Sequence, residues 1–564
     1  MNALPELTRS RCVLLSDFNV RNLAGYLRRD AALSNWDVQE TDFGQVMPLL
    51  LDATHEVWQR PGDLAVVWTL PQVLQSYEEL LDGHGAGLDR ILSEVDDFAG
   101  LVAGLATRVR TVLVPTWTQD PSSRGLGVLD LRPGGHAHAL LRMNQRLADR
   151  LAEHSNVFVV DASRWLRLDK DSVSPKHWYF SKTPFGLSVF SQAAQEIRAL
   201  VDAVEGRAKK LLILDLDNTL WGGIVGDCGW PNIGLGGHDA AGEAYKDFQR
   251  ALKSLQRRGI ILGLVSKNDE KVALEAIDRH PEMVLRRDDF AGWRINWEDK
   301  ATNILELVRE LNLGADAAVF IDDNPAERGR VAAAVPQIFV PSWPTDPLEY
   351  RRALEALSCF DTVSISEEDR NRTRSYVAQR RLANERPAVS LREWLTSLDL
   401  EVEVRPLSGE NLRRVAQLLN KTNQMNLSTR RLTEQELLSW STQESNRVWA
   451  VSVKDRYADH GITGIVSTAC SGPDCSIVDF ILSCRVFGRD VESVMVCLAV
   501  EEAQRRGATR LSATYLKTEK NAPTLEFFEK RSGLVLAEGP PTTFEWPFPK
   551  ERVVPPHIRV RVVG

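Results

Sequence analysis

The sequence predicts an α/β protein in three parts: a doubly wound parallel sheet, a second parallel sheet, and an α+β region with a mixed sheet. Three observations predict this. Short apolar runs alternate with helix-like stretches over residues 1–205. Leu211-Leu-Ile-Leu then runs directly into Asp215-Leu-Asp217-Asn218, the pattern of a strand buried on both faces with polar groups at its carboxyl end. From Leu400-Glu-Val-Glu-Val-Arg405 onward, strands alternate apolar and polar residues, as in antiparallel pairing. The boundaries expected are 1–205, 206–360 and 361–549, with 550–564 as a C-terminal tail.

Bulk properties set limits. At 564 residues the chain is long enough for three or four domains, and 43% hydrophobic content allows each a core. The 69 basic and 77 acidic residues leave a net charge of −8, which argues against a nucleic-acid or anionic-membrane partner. Seven cysteines without metal-ligand spacing read as reduced thiols of a cytoplasmic protein. Cys470 and Cys475 flank a Ser-Gly-Pro-Asp turn but lack the second pair a zinc site needs. Neither a signal peptide nor a membrane-spanning run is expected.

In the first part, Cys12-Val-Leu-Leu reads as a strand entering Ser16-Asp17-Phe-Asn19, with a helix over 20–29. Leu64–Leu70, Thr111–Pro115 and Asn156–Asp161 read as further strands, the last following a helix over 137–153. Ser16 stands where a hydrolase holds its nucleophile, and the element order resembles an SGNH-hydrolase-like domain. The Asp-x-x-His of that family has no convincing counterpart, His177 being the nearest histidine. A non-catalytic docking or scaffolding role is therefore expected.

The second part carries the densest chemistry. Asp215 and Asp217 lie two apart on a strand end and so face one side. Ile260–Val265 is a second buried strand, ending in Ser266-Lys267-Asn268. Lys300 closes Asn296-Trp-Glu-Asp-Lys300 ahead of a helix, and Ala318-Val-Phe-Ile ends in Asp322-Asp323-Asn324. Carboxyl ends of parallel strands share one crevice, so these groups should meet. Carboxylates suit Mg²⁺, while a hydroxyl and an ammonium suit a phosphoryl oxygen. With the ion present, one carboxylate can attack phosphorus and the other handle a proton.

This order and spacing resemble the four motifs of the haloacid dehalogenase (HAD) superfamily. The resemblance implies a Rossmannoid sheet in which Asp215 is the nucleophile and Asp217 the general acid/base. It implies phosphate contacts from Asn218, Thr219, Ser266, Lys267, Asn268 and Lys300. Asp215, Asp217, Asp322 and Asp323 would hold Mg²⁺, Asp217 through its backbone carbonyl as well. About two βα units fit between Asp217 and Ser266, and again between Ser266 and Asp322. Neither gap has room for a cap, so the site is expected to be open to a substrate carried by another domain or protein.

In the third part, 364–386 reads as a charged helical connector. Strands are expected near 400–405, 448–453, 462–468, 476–484 and 510–515, with helices over 491–505 and from Asn521 to Gly533. The order resembles the GNAT acyltransferase fold, whose Arg-x-x-Gly-x-Gly turn holds the pyrophosphate of coenzyme A. Here the turn is Arg485-Val-Phe-Gly488-Arg489-Asp490, which puts a negative charge where pyrophosphate would sit. Phe528 stands where many acetyltransferases have a tyrosine. Both departures argue against acetyl-CoA and leave room for a phosphopantetheine arm, which lacks pyrophosphate.

Together, the HAD motifs, Thr422-Asn-Gln-Met-Asn-Leu and Ser483-Cys-Arg-Val-Phe-Gly resemble the FkbH-like family (HAD subfamily IIIC), closely over 208–535 and loosely over 1–205. The resemblance implies capture of the glyceryl group of 1,3-bisphosphoglycerate on a cysteine, removal of phosphate, and loading onto an acyl carrier protein for polyketide biosynthesis. Cys484, at a strand end beside Arg485 and near a helix start, is the expected acyl carrier, because cations and helix N-termini favour thiolates. Cys228 is the outside candidate. His460, with Asp459 between two strands, could act as base, and Asn423, Asn426 and Asn521 could orient a ligand. Two other readings remain: a Mg²⁺ phosphatase beside an independent GNAT acetyltransferase, and a non-catalytic carrier-docking scaffold.

Overall fold

The computed structural model describes residues 10–60, 62–83, 87–166, 172–173, 175–237, 239–374, 376–377, 391–422, 425–456, 459–483, 486–518, 521–548 and 553–563. The chain divides into two compact units, Met1–Ala199 and Leu200–Gly564. No described helix is long and apolar enough to cross a membrane.

The first unit is built on β1 (Ser10–Ser16), β2 (Trp36–Glu40), β3 (Gly62–Trp68), β4 (Val109–Pro115) and β5 (Val157–Val160). Their order is β2-β1-β3-β4-β5, every neighbour pair parallel. Helices Leu88–Leu105 and His136–Leu151 bury Ile91, Val95, Phe98 and Val102, and Met143, Leu147 and Leu151, at helical spacing against Val13, Leu15, Ala65 and Val67. Each such apolar side chain taken fully from water stabilises by roughly 1.5–3 kcal/mol. β2 gave no sequence signal because it is an edge strand with only Val38 buried.

The second unit holds two sheets. The first is β6 (Leu211–Leu214), β7 (Ile261–Ser266), β8 (Phe290–Ile295) and β9 (Ala318–Ile321), all parallel in the order β8-β7-β6-β9. Leu212 and Leu214 enter one core with Leu262 and Leu264, while Leu211 and Ile213 enter another with Val265 and Phe320. That two-sided burial is why β6 reads as an unbroken apolar run. Among the described residues no strand stands between β6 and β7, contrary to the expected two βα units. Seven glycines between Thr219 and Asp239 make that stretch turns, a short helix Val225–Cys228 and the start of helix Ala240–Arg257. Between β7 and β9 stand β8 and the helices Glu270–Arg279 and Lys300–Glu310.

The second sheet is mixed: β10 (Leu400–Pro406), β11 (Met425–Asn426), β12 (Asn446–Lys454), β13 (Asp459–Ser471), β14 (Asp474–Leu482), β15 (Arg510–Thr514), β16 (Val535–Leu536), β17 (Thr543–Glu545) and β18 (Ile558–Val562). Its order is β16-β17-β15-β14-β13-β12-β10-β18, with β11 on β14. β10–β18 and β14–β15 pair parallel, the others antiparallel. Helix Val491–Arg505 buries Val491, Val494, Met495 and Leu498 in the core of this sheet.

Three expectations change here. The tail 550–564 is not a free tail: Ile-Arg-Val-Arg-Val at 558–562 alternates as a strand must and pairs with β10. Of the connector 364–386, Glu367–Arg370 is helical, and 378–386 lie outside the described residues. Cys470 and Cys475 are joined as a disulfide rather than held as separate thiols. They are directly opposed across the β13–β14 hairpin, with Cα atoms 4.0 Å apart.

Candidate active site

The carboxyl ends of β6, β7 and β9 converge. Lys300, the first residue of its helix, sends its ammonium between two strand ends, with Nζ 2.8 Å from Asp215 Oδ1 and 2.6 Å from Asp322 Oδ2. All three side chains are buried, at 5%, 7% and 0% exposure, so this is an ion-pair network out of reach of bulk water. Ser266, buried at the end of β7, works with Lys300 against the burial that raises the Asp215 pKa. Asn324 N–H donates to Asp322 Oδ1 at 2.9 Å.

Charge here does not balance. Burial opposes the Lys300 ammonium, but Asp215 and Asp322 together hold its pKa above the ordinary value. Burial pushes the acids up, and the single ammonium does not bring them back: Asp215, Asp322 and Asp323 all stay above the usual carboxylate range. Asp215, Asp322 and Asp323 each offer an oxygen, all within 4.8 Å of one another. An all-oxygen cluster with surplus negative charge fits a hard divalent cation.

Asp217 sits differently. Oδ1 accepts from Trp221 Nε1 at 2.9 Å and Val225 N at 3.0 Å, and Oδ2 accepts from Asn268 Nδ2 at 2.8 Å. Its carboxylate, expected among the metal ligands, is not part of the three-residue cluster, because these donors hold it. Burial raises its pKa despite those hydrogen bonds, the direction a proton donor needs. The arrangement can therefore offer a carboxylate nucleophile, a separate carboxyl acid and a cation within one crevice.

The remaining motif residues support this frame. Asn218 takes the left-handed conformation at φ 55°, and its carbonyl accepts from Tyr350 Oη at 3.1 Å and Tyr245 Oη at 3.3 Å. Thr219 Oγ1 accepts from Asp323 N at 3.2 Å, tying β6 to β9. Lys267 pairs with Glu327 at 2.6 Å. Sequence reasoning passed over Tyr245, Tyr350, Trp221 and Arg328. Arg328 donates to the carbonyls of Asp322 and Asp323 at 2.6 and 2.8 Å, fixing the turn after β9. None of these carries a spacing signal, since each acts from a different element.

In the mixed-sheet region, Cys484, Arg485 and Asn423 lie outside the described residues. Cys228, the outside candidate, is partly buried, and its thiol donates to the Ile224 carbonyl. His460, expected between two strands, is instead buried inside β13, with Nε2 2.9 Å from Asp455 Oδ2. Arg489 Nη1 reaches the same oxygen at 2.5 Å. Asp459 is exposed and accepts from Gly461 N at 2.9 Å. Asn521 is fully committed within the protein. Its oxygen accepts from Tyr515 Oη and Thr518 N, and its amide donates to the carbonyls of Asn426 and Leu516. Asn426 is likewise buried, donating to Thr422 O and accepting from Thr429 N. In the first unit, Ser16 is buried at the end of β1 and His177 is exposed on helix Pro175–Ser181.

No family model matches the chain, and no curated protein matches it. Among solved structures, the chain is similar to the N-terminal part of the protein BF1531 from Bacteroides fragilis, which contains a phosphatase domain and is complexed with Mg. Identity is 30% and the TM-score 0.57, covering 63% of this chain and 94% of that one. Smaller stretches are similar to the ribosomal-protein-S18-alanine N-acetyltransferase of Escherichia coli, at 11% identity and TM-score 0.21 over 26% of this chain and 93% of that one. A further likeness is to the PaiA N-acetyltransferase of Thermoplasma acidophilum in complex with coenzyme A, at 13% and 0.20 over 26% and 96%. TM-scores this low carry no argument for this chain. At 30% identity over nearly the whole of the Bacteroides structure, the chain belongs to the family of that protein, with a phosphatase domain of the HAD type.

Proposed function

We propose that the chain is a Mg²⁺-dependent phosphohydrolase coupled to acyl transfer. It captures the glyceryl group of 1,3-bisphosphoglycerate on Cys484, removes the remaining phosphate, and loads the glyceryl group onto an acyl carrier protein. The observation that carries the phosphoryl half is the Lys300 ammonium between Asp215 and Asp322, with Asp323 completing an all-oxygen cluster. Asp215, Asp322 and Asp323 would hold Mg²⁺, which when bound would supply charge neutralisation for the phosphoryl oxygens.

Two chemistries are required. The acyl phosphate is already activated: the Cys484 thiolate attacks the acyl carbon, the C–S bond forms, the C–O bond breaks, and phosphate leaves. The phosphate ester left behind is inert to a thiol. Asp215 attacks its phosphorus, and the departing alkoxide takes the Asp217 proton. Water then hydrolyses the aspartyl-phosphate, returning a proton to Asp217. The carrier thiol finally takes the glyceryl group by thioester exchange.

The N-terminus of helix Val491–Arg505 supports an arm without pyrophosphate. Asp490 stands at its N-cap, paired with Arg531, and buried Glu492 in the first turn accepts from Gly488 N at 2.6 Å. The Asp490 carboxylate there opposes an anion. The phosphoryl half is tested with p-nitrophenyl phosphate: turnover should require Mg²⁺, stop with EDTA and return with Mg²⁺. Turnover indifferent to EDTA would remove the reading.

A further inference from the structure

The first unit carries a ligand-sized cavity of its own. In the order β2-β1-β3-β4-β5, the chain steps from β1 out to β2 and then crosses back to lay β3 on the other side of β1. Right-handed crossovers in opposite directions lie on opposite faces of a sheet, so a crevice opens outside the carboxyl ends of β1 and β3. Open parallel sheets bind ligands at such a point. Asp17 follows β1 and Leu70 follows β3, and Leu70 N–H donates to Asp17 Oδ1 at 2.9 Å across it. Both residues line a cavity of about 500 Å³.

Asp17 and Glu78 are the acids of that cavity, and among the described residues no lysine, arginine or histidine lines it. Helix Pro175–Ser181 adds the rings of Trp178 and Tyr179, and apart from Gln72 the rest of the lining is apolar. Glu78, on helix Gln75–Leu81, is exposed. Asp17 is half-buried, and among the described residues only backbone N–H groups donate to its carboxyl. A carboxylate withdrawn from water with no counter-charge takes up a proton or a cation. Burial pushes Asp17 up to about 7, which leaves it open to either near neutrality. Aromatic ring faces attract cations too. The Lys182 ammonium, which does not line the cavity, already stands 4.9 Å from the centroid of the Trp178 ring.

We propose that this cavity binds a small organic ammonium ion, its charge at Asp17 and its carbon body against Trp178 and Tyr179. An acid set beside aromatic and apolar walls matches such an ion on both its charged and its apolar side. The inference does not depend on the phosphoryl or the acyl-transfer reading. Primary and quaternary ammonium ions share the chemistry, and both are tested. Facing the cavity beside Asp17 are the titratable Glu78 and Tyr179; Lys182 lies on Trp178, and Lys176 and His177 are exposed on the same helix as the rings.

Calorimetry with the full chain at pH 6 and at pH 8, titrating n-butylamine and separately choline, decides it. At least one should bind, and about tenfold more tightly at pH 8. A carboxyl near 7 is ionised in about a tenth of molecules at pH 6 and in about nine tenths at pH 8. Asp17→Asn keeps an acceptor for Leu70 N–H; it should weaken binding at pH 8 at least tenfold and remove the pH dependence. Tyr179→Ser, at an exposed position, should weaken binding severalfold without disturbing the fold. His177→Gln should leave affinity and pH dependence unchanged, which separates Asp17 from the exposed imidazole. Absence of binding by both ions, equal affinity at the two pH values, or binding unchanged in Asp17→Asn would overturn the assignment.

Discussion

β1 and β6 are both parallel strands that run into an acid, and of these two only β6 brings its acid into a cluster of carboxylates around an ammonium. β1 delivers Ser16-Asp17 and β6 delivers Asp215-Leu-Asp217. Both strands are buried on both faces. Asp17 accepts from Leu70 N through its two oxygens, at 2.9 and 3.1 Å, and among the described residues no cation pairs with it. Burial pushes its pKa up to about 7. Asp215 instead meets Lys300, Ser266 and the acids at the end of β9. A strand-end carboxylate is therefore only an opportunity. The chemistry comes from the charges that neighbouring strands and the Lys300 helix bring to it.

The comparison can be broken at several points. Asp215→Asn should lower aryl phosphate turnover on the order of a thousandfold or more, because no other group replaces a nucleophile. Ser16→Ala, measured in the same assay and with p-nitrophenyl acetate, should change nothing. Lys300→Met leaves Asp215 and Asp322 buried without their ammonium, and should cost about 3–5 kcal/mol in urea unfolding. Part of that loss should return with millimolar Mg²⁺, since a cation again stands between the acids.

The smallest effect is at Asp17. Its folded pKa near 7 lies above the usual 3.8. The folded state thus holds this proton more tightly, and the stability gained is full below pH 4 and lost as pH rises through 7. Asp17→Asn should raise the melting temperature at pH 8 and leave it nearly unchanged at pH 4. An equal shift at both would show that the carboxyl is not held protonated.

Much of the parallel-sheet site was legible because its residues sit at strand ends in short motifs. Asp215, Ser266 and Asp322 announce themselves by an apolar run followed by a polar group, and Lys300 by its place in a polar stretch just ahead of a helix. Asp217 was legible as a residue but not in its contacts, since Trp221 and Asn268 take its oxygens. Tyr245, Tyr350 and Arg328 were illegible because each reaches the site from a helix whose own periodicity reports only its core face. β2 was missed for a related reason, since an edge strand exposes most of its side chains and loses the apolar signal, whereas β18 carries the alternation Ile-Arg-Val-Arg-Val and was read as tail all the same. The disulfide was missed because its partners are brought together by hairpin register, which the turn Ser-Gly-Pro-Asp alone did not fix.

The coupling of the two chemistries is tested most directly by intact-protein mass spectrometry after incubation with 1,3-bisphosphoglycerate and Mg²⁺. The wild-type chain should carry a glyceryl group on Cys484, and Asp215→Asn should carry the heavier phosphoglyceryl group on the same residue. A Cys484→Ala chain that still becomes acylated, or a wild-type chain that never does, would contradict the account.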